Sequence, residues 1–290
     1  MVEAVSPPRN NWLRSKGTQF VACPGEVSRR IFLARVGSLA VAPLPNVAKA
    51  KPVQTKALKA MAFDIQGTTV DFFQPMLRMG AMVNERKGLQ LDWAAISKEW
   101  RELYRIGLDA VISGEKPLVT TETIYAQGLD RLLERHGLTS AFTEEEKAEI
   151  NGLWRRLEPW PDAVEGLTRL RRRYTLSTLS NAGMATVVAV VKNGGLPFDC
   201  VLTAQLAQSF KPSPAVYQLA VDNLGFHSNE IMLVACHKYD LRAAKAFGMQ
   251  TAFVRRPLEF GPGATPDLSD EPYFDIAADN FVELASKLGA

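Results

Sequence analysis

The segment LKAMAFD, at residues 58–64, is a short apolar run that ends in a carboxylate, and Gly67 follows soon after it. Runs of this length, closed by a polar residue and a glycine, are typical of a buried β-strand that leads into a tight loop. We therefore expect a strand over residues 58–64, with Asp64 at its carboxyl end.

The chain that follows this strand has a different pattern. Apolar residues recur at helical spacing and glycine or proline separates the segments, which are residues 75–88, 92–112, 120–136 and 143–157. No strand-like alternation interrupts them. Residues 74–157 are therefore predicted to form an all-helical block.

Strands and helices alternate in the rest of the chain. Strands are predicted over residues 174–179, 200–203, 231–236, 250–254 and 274–277, and helices over residues 162–172, 184–193, 213–224, 240–247 and 279–288. This alternation predicts a doubly wound α/β fold, in which helices cover both faces of a parallel sheet. Because one strand precedes the helical block, we interpret residues 74–157 as a cap inserted into a core of residues 51–73 and 158–290.

The first fifty residues have the features of an export signal. The hexapeptide SRRIFL, at residues 28–33, precedes a modestly apolar stretch at 36–44, and AKA at 48–50 has the form of a signal-peptidase site. The stretch is too short to span a bilayer. The pattern resembles a twin-arginine signal and predicts a periplasmic or secreted protein that uses the twin-arginine export machinery. The alternative is a cytoplasmic protein with an accidental match in a basic N-terminus.

Composition excludes several classes of protein. The 290 residues carry 34 Lys+Arg and 31 Asp+Glu, a net charge of +3, which is too balanced for a nucleic-acid binder that relies on charge. The 47% hydrophobic content excludes a disordered chain. Cys23, Cys200 and Cys236 lack the spacing of a zinc site or a disulfide scaffold. We expect neither a metal nor a cofactor. Among soluble assemblies a symmetric homodimer is the most common, and we keep it as the expectation if this chain assembles.

Polar side chains gather where the predicted strands end. They are Asp64, Ser180, Asn181, Lys211, His237 and Asp240. Ligands of open parallel sheets bind outside the carboxyl ends of the strands. Taken singly, a Ser-Asn pair is most often a helix cap and a Lys-Pro pair a turn. Their shared position instead predicts one active site.

These residues stand in four motifs that resemble those of the haloacid dehalogenase superfamily. The motifs are FDIQGTTVD (63–71), LSNAG (179–183), KPSPAVY (211–217) and LVACHKYDLRAA (233–244). The resemblance covers essentially all of the chain after residue 50 and implies that Asp64 is the nucleophile that forms an ester with the substrate. A strand-end carboxylate beside Lys211 can stay ionised for this role.

Two departures point away from the phosphatases of this superfamily. Those enzymes have a second aspartate two residues after the nucleophile, where this chain has Gln66, an amide that cannot act as a general acid. They also have an extra acid in the fourth motif that helps to hold magnesium, where this chain has Cys236. Mg²⁺ requires oxygen ligands, so a thiol weakens such a site. A halide leaves without a proton and needs no metal.

The helical block supplies a second resemblance. Trp100-Arg101 is similar to a tryptophan-arginine pair of the (S)-2-haloacid dehalogenases, in which the arginine assists halide departure. Tyr217 matches the KPxxxxY pattern of that family. The alternatives are that Arg101 is a solvated helix residue and Tyr217 a core aromatic. The family usually has tyrosine at the position of Gln66, and commonly asparagine at that of His237.

The resemblance implies a two-step hydrolysis of (S)-2-haloalkanoic acids to (R)-2-hydroxy acids. Backbone N–H groups near Gln66, with Ser180, would hold the substrate carboxylate. Asp64 would attack C2 with inversion, while Arg101 and Asn181 receive the halide.

In the second step, water cleaves the ester. Asp240 would orient the water, with Lys211 pairing both aspartates. His237 would either assist this step as a base, or have a structural role in which it hydrogen-bonds to the backbone at the start of a helix. Two other functions stay open: a magnesium-dependent phosphatase or phosphonatase, and a non-catalytic exported protein that binds carboxylates.

Overall fold

The computed structural model of the protein describes residues 58–290. The predicted twin-arginine segment, residues 1–50, lies outside the described residues, so export stays a prediction. None of the helices within 58–290 is long and apolar enough to cross a membrane.

The described chain contains seven strands. They are β1 (Ala60–Phe63), β2 (Val70–Asp71), β3 (Glu158–Pro159), β4 (Thr175–Thr178), β5 (Ile231–Ala235), β6 (Gln250–Val254) and β7 (Ile276–Ala278). Five of them form a parallel sheet in the order β4-β1-β5-β6-β7. Every residue of the central strands β1 and β5 is buried, as strands covered on both faces must be. The predicted parallel α/β fold is confirmed.

Helices flank the sheet and also fill the chain between β2 and β3. They are α1 (Phe73–Lys87), α2 (Trp93–Ile112), α3 (Thr121–Arg135), α4 (Glu144–Asn151), α5 (Ala163–Arg171), α6 (Met184–Asn193), α7 (Pro214–Leu224), α8 (Lys238–Phe247) and α9 (Phe281–Lys287). Side-chain caps at Asp92, Thr120 and Thr143 start α2, α3 and α4, because each accepts a bond from an unpaired N–H of the first turn.

A small antiparallel ribbon joins the two ends of the helical block. In this ribbon β2 pairs with β3, Val70 opposite Pro159 and Asp71 opposite Glu158. The ribbon was not predicted, because strands of two residues carry no periodicity. It holds together the entry and exit of the chain between the sheet and α1–α4.

The prediction of a strand over residues 200–203 was wrong. The structure has only isolated bridges there, from Ser177 to Cys200 and from Ser180 to Thr203. The Thr178 hydroxyl occupies the gap: it accepts from the Leu202 N–H at 2.9 Å and donates to the Leu202 carbonyl at 2.7 Å. These side-chain bonds take the place of a regular backbone ladder.

Candidate active site

The loop after β1 fixes the position of Asp64. The Thr69 hydroxyl donates to the Asp64 carbonyl at 2.7 Å, and the Gly67 N–H donates to the Val70 carbonyl at 3.0 Å. Gly67 has a φ of 82°, and a Cβ there would lie 2.4 Å from Oε1 of Glu259. Only glycine fits this turn, which brings the loop close to Glu259.

The Asp64 carboxylate is held by three neighbours. Its Oδ1 accepts from Lys211 Nζ at 2.9 Å, and its Oδ2 accepts from Thr68 Oγ1 at 2.7 Å and lies 3.0 Å from His237 Nδ1. Burial alone would raise the pKa of Asp64, but the charges of Lys211 and His237 and their hydrogen bonds bring the pKa below its ordinary value. Asp64 is therefore an ionised carboxylate with only 6% of the residue exposed.

Lys211 links two aspartates. Its side chain is buried, and its ammonium donates to Asp240 as well as to Asp64. Its backbone N–H donates to Asn181 Oδ1 at 2.8 Å. The bond to Lys211 leaves Nδ2 as the donor that Asn181 can present to a ligand.

Tyr217 and Asp240 lie behind Lys211 and do not line the cavity described below. The Tyr217 hydroxyl donates to Asp240 Oδ1 at 2.8 Å, and Lys211 holds Oδ2. The assignment of Tyr217 to substrate binding is therefore not supported, because this ring packs in the core and its hydroxyl is used by Asp240. Asp240 is fully buried and does not line the cavity, so it does not reach the water that it was predicted to orient.

His237 lies between two carboxylates. Its Nδ1 faces Asp64, and its Nε2 lies 2.9 Å from Oε1 of Glu259. Burial alone would lower the pKa of His237, but the negative charge of Glu259 and the hydrogen bond to Asp64 raise it well above its ordinary value. The side chain is thus an imidazolium, which cannot act as a base while Asp64 is ionised.

Glu259 is a site residue that the sequence did not reveal. It is buried and follows β6 in a loop that belongs to none of the four motifs. Its one sequence signal is an acidic side chain a few residues beyond the carboxyl end of a strand. That position places it at the same edge of the sheet as His237.

One group within residues 58–290 has the composition of a metal site. The ligand atoms of Cys236, His237 and Glu259 all lie within 4.8 Å of one another. Both nitrogens of His237 already face carboxylates, and an imidazolium has no lone pair for a metal. Burial raises the pKa of the Cys236 thiol, which works against the thiolate that a metal needs. As arranged, the group is a hydrogen-bonded network.

A cavity of about 700 Å³ opens above these groups. Seven of the nine predicted site residues line it: Asp64, Gln66, Arg101, Ser180, Asn181, Lys211 and His237. Ser180 accepts from the Ala182 N–H at 3.1 Å, a turn that leaves its hydroxyl proton available to a ligand. The sheet edge thus presents both anionic and donor groups to a small molecule.

Arg101 comes to this cavity from α2. Its guanidinium lies 4.7 Å above the Phe72 ring and 5.2 Å from the Tyr104 ring, and it donates to the Tyr125 hydroxyl. The alternative of a solvated helix residue is therefore wrong. The neighbouring Trp100 is buried and donates to the Tyr125 carbonyl at 2.8 Å, which fixes α2 against α3.

Comparison with known proteins agrees with this architecture. Residues 58–248 match the family model of haloacid dehalogenase-like hydrolases, and the chain belongs to that family. It is 26% identical to (S)-2-haloacid dehalogenase 4A of Burkholderia cepacia, over 69% of this chain and 84% of that protein.

Two solved structures are more similar in sequence. An L-2-haloacid dehalogenase superposes with a TM-score of 0.77 at 36% identity, covering 80% of this chain and 99% of that one. A defluorinating L-2-haloacid dehalogenase gives 0.78 at 35% identity, covering 80% and 96%. These homologues are hydrolases that act on carbon–halide bonds.

Proposed function

We propose that this protein hydrolyses (S)-2-haloalkanoic acids to (R)-2-hydroxy acids through an ester of Asp64. The observation that carries the proposal is the state of Asp64, an ionised carboxylate on the wall of a cavity that Arg101 also lines. The similarity to dehalogenases of this substrate class supports it.

In the first step, an oxygen of Asp64 forms a bond to C2 of the substrate as the carbon–halogen bond breaks. The halide leaves with the bonding electron pair, and C2 inverts. Arg101 and Nδ2 of Asn181 are the donors placed to receive the halide, since fixed charge in a buried pocket stabilises a developing anion. Backbone N–H groups near Gln66 and the Ser180 hydroxyl hold the substrate carboxylate.

In the second step, water attacks the Asp64 carbonyl carbon and the bond from that carbon to the ester oxygen breaks. The 2-hydroxy acid leaves with its C2–O bond intact, and its hydroxyl takes the second proton of the attacking water. Esterification removes the charge of Asp64, so His237 loses the partner that held its Nδ1 proton. That proton is released to solvent. Neutral His237, held through Nε2–H by Glu259, then takes a proton from the attacking water and returns to the imidazolium state. The overall reaction produces one halide and one proton.

Halide release from (S)-2-chloropropionate tests the proposal. We expect release by the wild-type chain that a chelator leaves unchanged, and none by Asp64→Ala. Loss of activity with chelator would favour the magnesium-dependent alternative. Turnover by Asp64→Ala would exclude covalent catalysis by this residue. Binding of the acid without halide release would favour the non-catalytic alternative.

We also propose that the precursor is exported through its twin-arginine segment, on the strength of SRRIFL at residues 28–33. Cell fractionation of the wild type and of the Arg29→Lys, Arg30→Lys double variant tests this. The wild type should be found shortened and in the periplasm, and the variant should remain full-length in the cytoplasm. If the wild type and the double variant are found in the same compartment at the same length, the cytoplasmic alternative would be favoured.

A further inference from the structure

Tyr125 of α3 is a buried residue that none of the sequence motifs includes. Its ring is stacked between two others, with centroids 4.2 Å from Tyr104 and 3.7 Å from Trp154. Only 1% of the residue is exposed. This packing leaves the ring one position, so the direction of its hydroxyl is fixed.

The Tyr125 hydroxyl joins the helical block to the loop that carries the nucleophile. It contacts the guanidinium of Arg101 and lies 3.2 Å from Oε1 of Gln66. Burial, opposed by the charge of Arg101, raises the pKa of Tyr125 to about 12, so the phenol keeps its proton at neutral pH.

The chemistry of the three groups sets the direction of each hydrogen bond. A guanidinium only donates, so the phenol oxygen accepts from Arg101. The single phenol proton must then go to an acceptor, which requires that Gln66 present its amide oxygen to Tyr125. The Nε2 of Gln66 is left with two N–H groups. It has no hydrogen-bond partner within residues 58–290, and the side chain lines the cavity.

We propose that Tyr125 is a positioning residue that turns the Gln66 amide so that Nε2 donates to an anionic group of the bound substrate. The same hydroxyl holds the Arg101 guanidinium at the cavity wall. The inference rests on the proposed function for the identity of that anion, which is the carboxylate of a 2-haloacid. Without the phenol proton, nothing in this chain of bonds distinguishes the oxygen of Gln66 from its nitrogen.

Tyr125→Phe tests the proposal because it keeps the stacked ring and removes only the hydroxyl. We expect kcat/KM for (S)-2-chloropropionate to fall by about tenfold to a hundredfold, the range for a hydrogen bond to a charged group. The loss should be smaller for the bromo acid, whose better leaving group needs less help from Arg101. Tyr174→Phe is the matched control, since it removes another buried hydroxyl bond, to the Leu288 carbonyl at 3.3 Å, far from the cavity.

A double-mutant cycle separates positioning from general damage. If Tyr125 acts through Gln66, the loss in Tyr125→Phe, Gln66→Leu should be close to that of the more damaging single variant. The proposal would be overturned if the fold-losses in kcat/KM of the two single variants multiply in the double variant. It would also be overturned if Tyr125→Phe and Tyr174→Phe lose kcat/KM equally. Thermal unfolding of each variant shows whether the fold is kept.

A binding measurement keeps the two proposals distinguishable. Calorimetry with (R)-2-hydroxypropionate needs no turnover, and Tyr125→Phe should weaken its binding by about tenfold, because a donor to the carboxylate is lost. If the wild type binds this acid but releases no halide, the proposed function fails and the positioning role is still judged by binding. A wild type that does neither overturns both.

Discussion

The hydroxyl of Tyr217 donates a 2.8 Å hydrogen bond to Oδ1 of Asp240. Lys211 donates to the other oxygen, and the carboxylate is fully buried and away from the cavity in which water would attack. Asp240 therefore acts on the reaction through Lys211, which in turn holds Asp64. The pairing orients the nucleophile and offsets the repulsion between two buried carboxylates.

Asp240→Asn should slow the first chemical step. An amide cannot balance the Lys211 ammonium, which would then bind Asp64 more tightly and make it a weaker nucleophile. We expect a loss of about tenfold to a hundredfold in the rate of the first halide release, measured by rapid quench in a single turnover. Tyr217→Phe should act in the same direction and less strongly. An unchanged first release with slow later turnover would instead place Asp240 on the hydrolytic water.

His237→Ala should slow the second step and trap the ester. Alanine offers no base to the attacking water, so Asp64 remains alkylated after the halide has left. Asparagine is not the test here, because it is the residue that the family commonly has at this position. Mass spectrometry of the intact chain should show one carboxyalkyl group per molecule. Glu259→Gln should show the same group at lower occupancy, since it removes the partner of Nε2. An unmodified chain with a slow first step would contradict this role.

The imidazolium of His237 also predicts how stability depends on pH. Its pKa is raised in the folded protein above the unfolded value of about 6.5. Such a group adds stability that is fully present below that pH and is lost as the pH rises through the folded pKa. Each unit of difference is worth about 1.4 kcal/mol.

The difference in unfolding free energy between wild type and His237→Asn should therefore be largest near about pH 5.5 and shrink towards alkaline pH. Urea unfolding across this range measures it. His136→Asn is a control, because its 2.9 Å bond to Glu99 is exposed and surface pairs contribute little. A difference that grows with pH would mean that His237 is neutral in the folded protein.

The sequence was sufficient where a feature depends on local pattern and chain order. Short apolar runs that end in polar residues predicted β1 and β5. The carboxyl ends of parallel strands lie at one edge of the sheet. That argument alone brought Asp64, Ser180 and His237 together before any coordinates. The helical spacing of residues 74–157 was equally local.

The missed features depend on side chains that meet only after folding. The strand expected at residues 200–203 is replaced by bonds from Thr178, a residue of another strand. Glu259 belongs to a loop with no motif, and its place is set by how that loop passes Gly67. Tyr125 contacts Gln66 only because α3 packs near the loop after β1. The spacing of apolar residues along the sequence does not predict that packing.

Gly80→Ala should loosen the packing of α1 against α2. A Cβ at Gly80 would lie 2.0 Å from Cγ of Trp93, and that indole is held by a 3.2 Å bond from its Nε1 to Asn84. Overpacking costs about 1–3 kcal/mol, whereas alanine in place of a helical glycine gains only up to about 1 kcal/mol. Unfolding in urea should therefore show a net loss of stability.

Gly152→Ala is the control for this substitution, since its Cβ would meet only the end of the Arg156 side chain, at 3.8 Å. It should leave stability unchanged or slightly higher. Because α2 also carries Arg101, a shift of this helix should lower halide release in Gly80→Ala even at temperatures where the chain is folded. Wild-type stability and turnover in Gly80→Ala would mean that α1 and α2 can separate without cost, and that Arg101 is held by Tyr125 and the Phe72 ring alone.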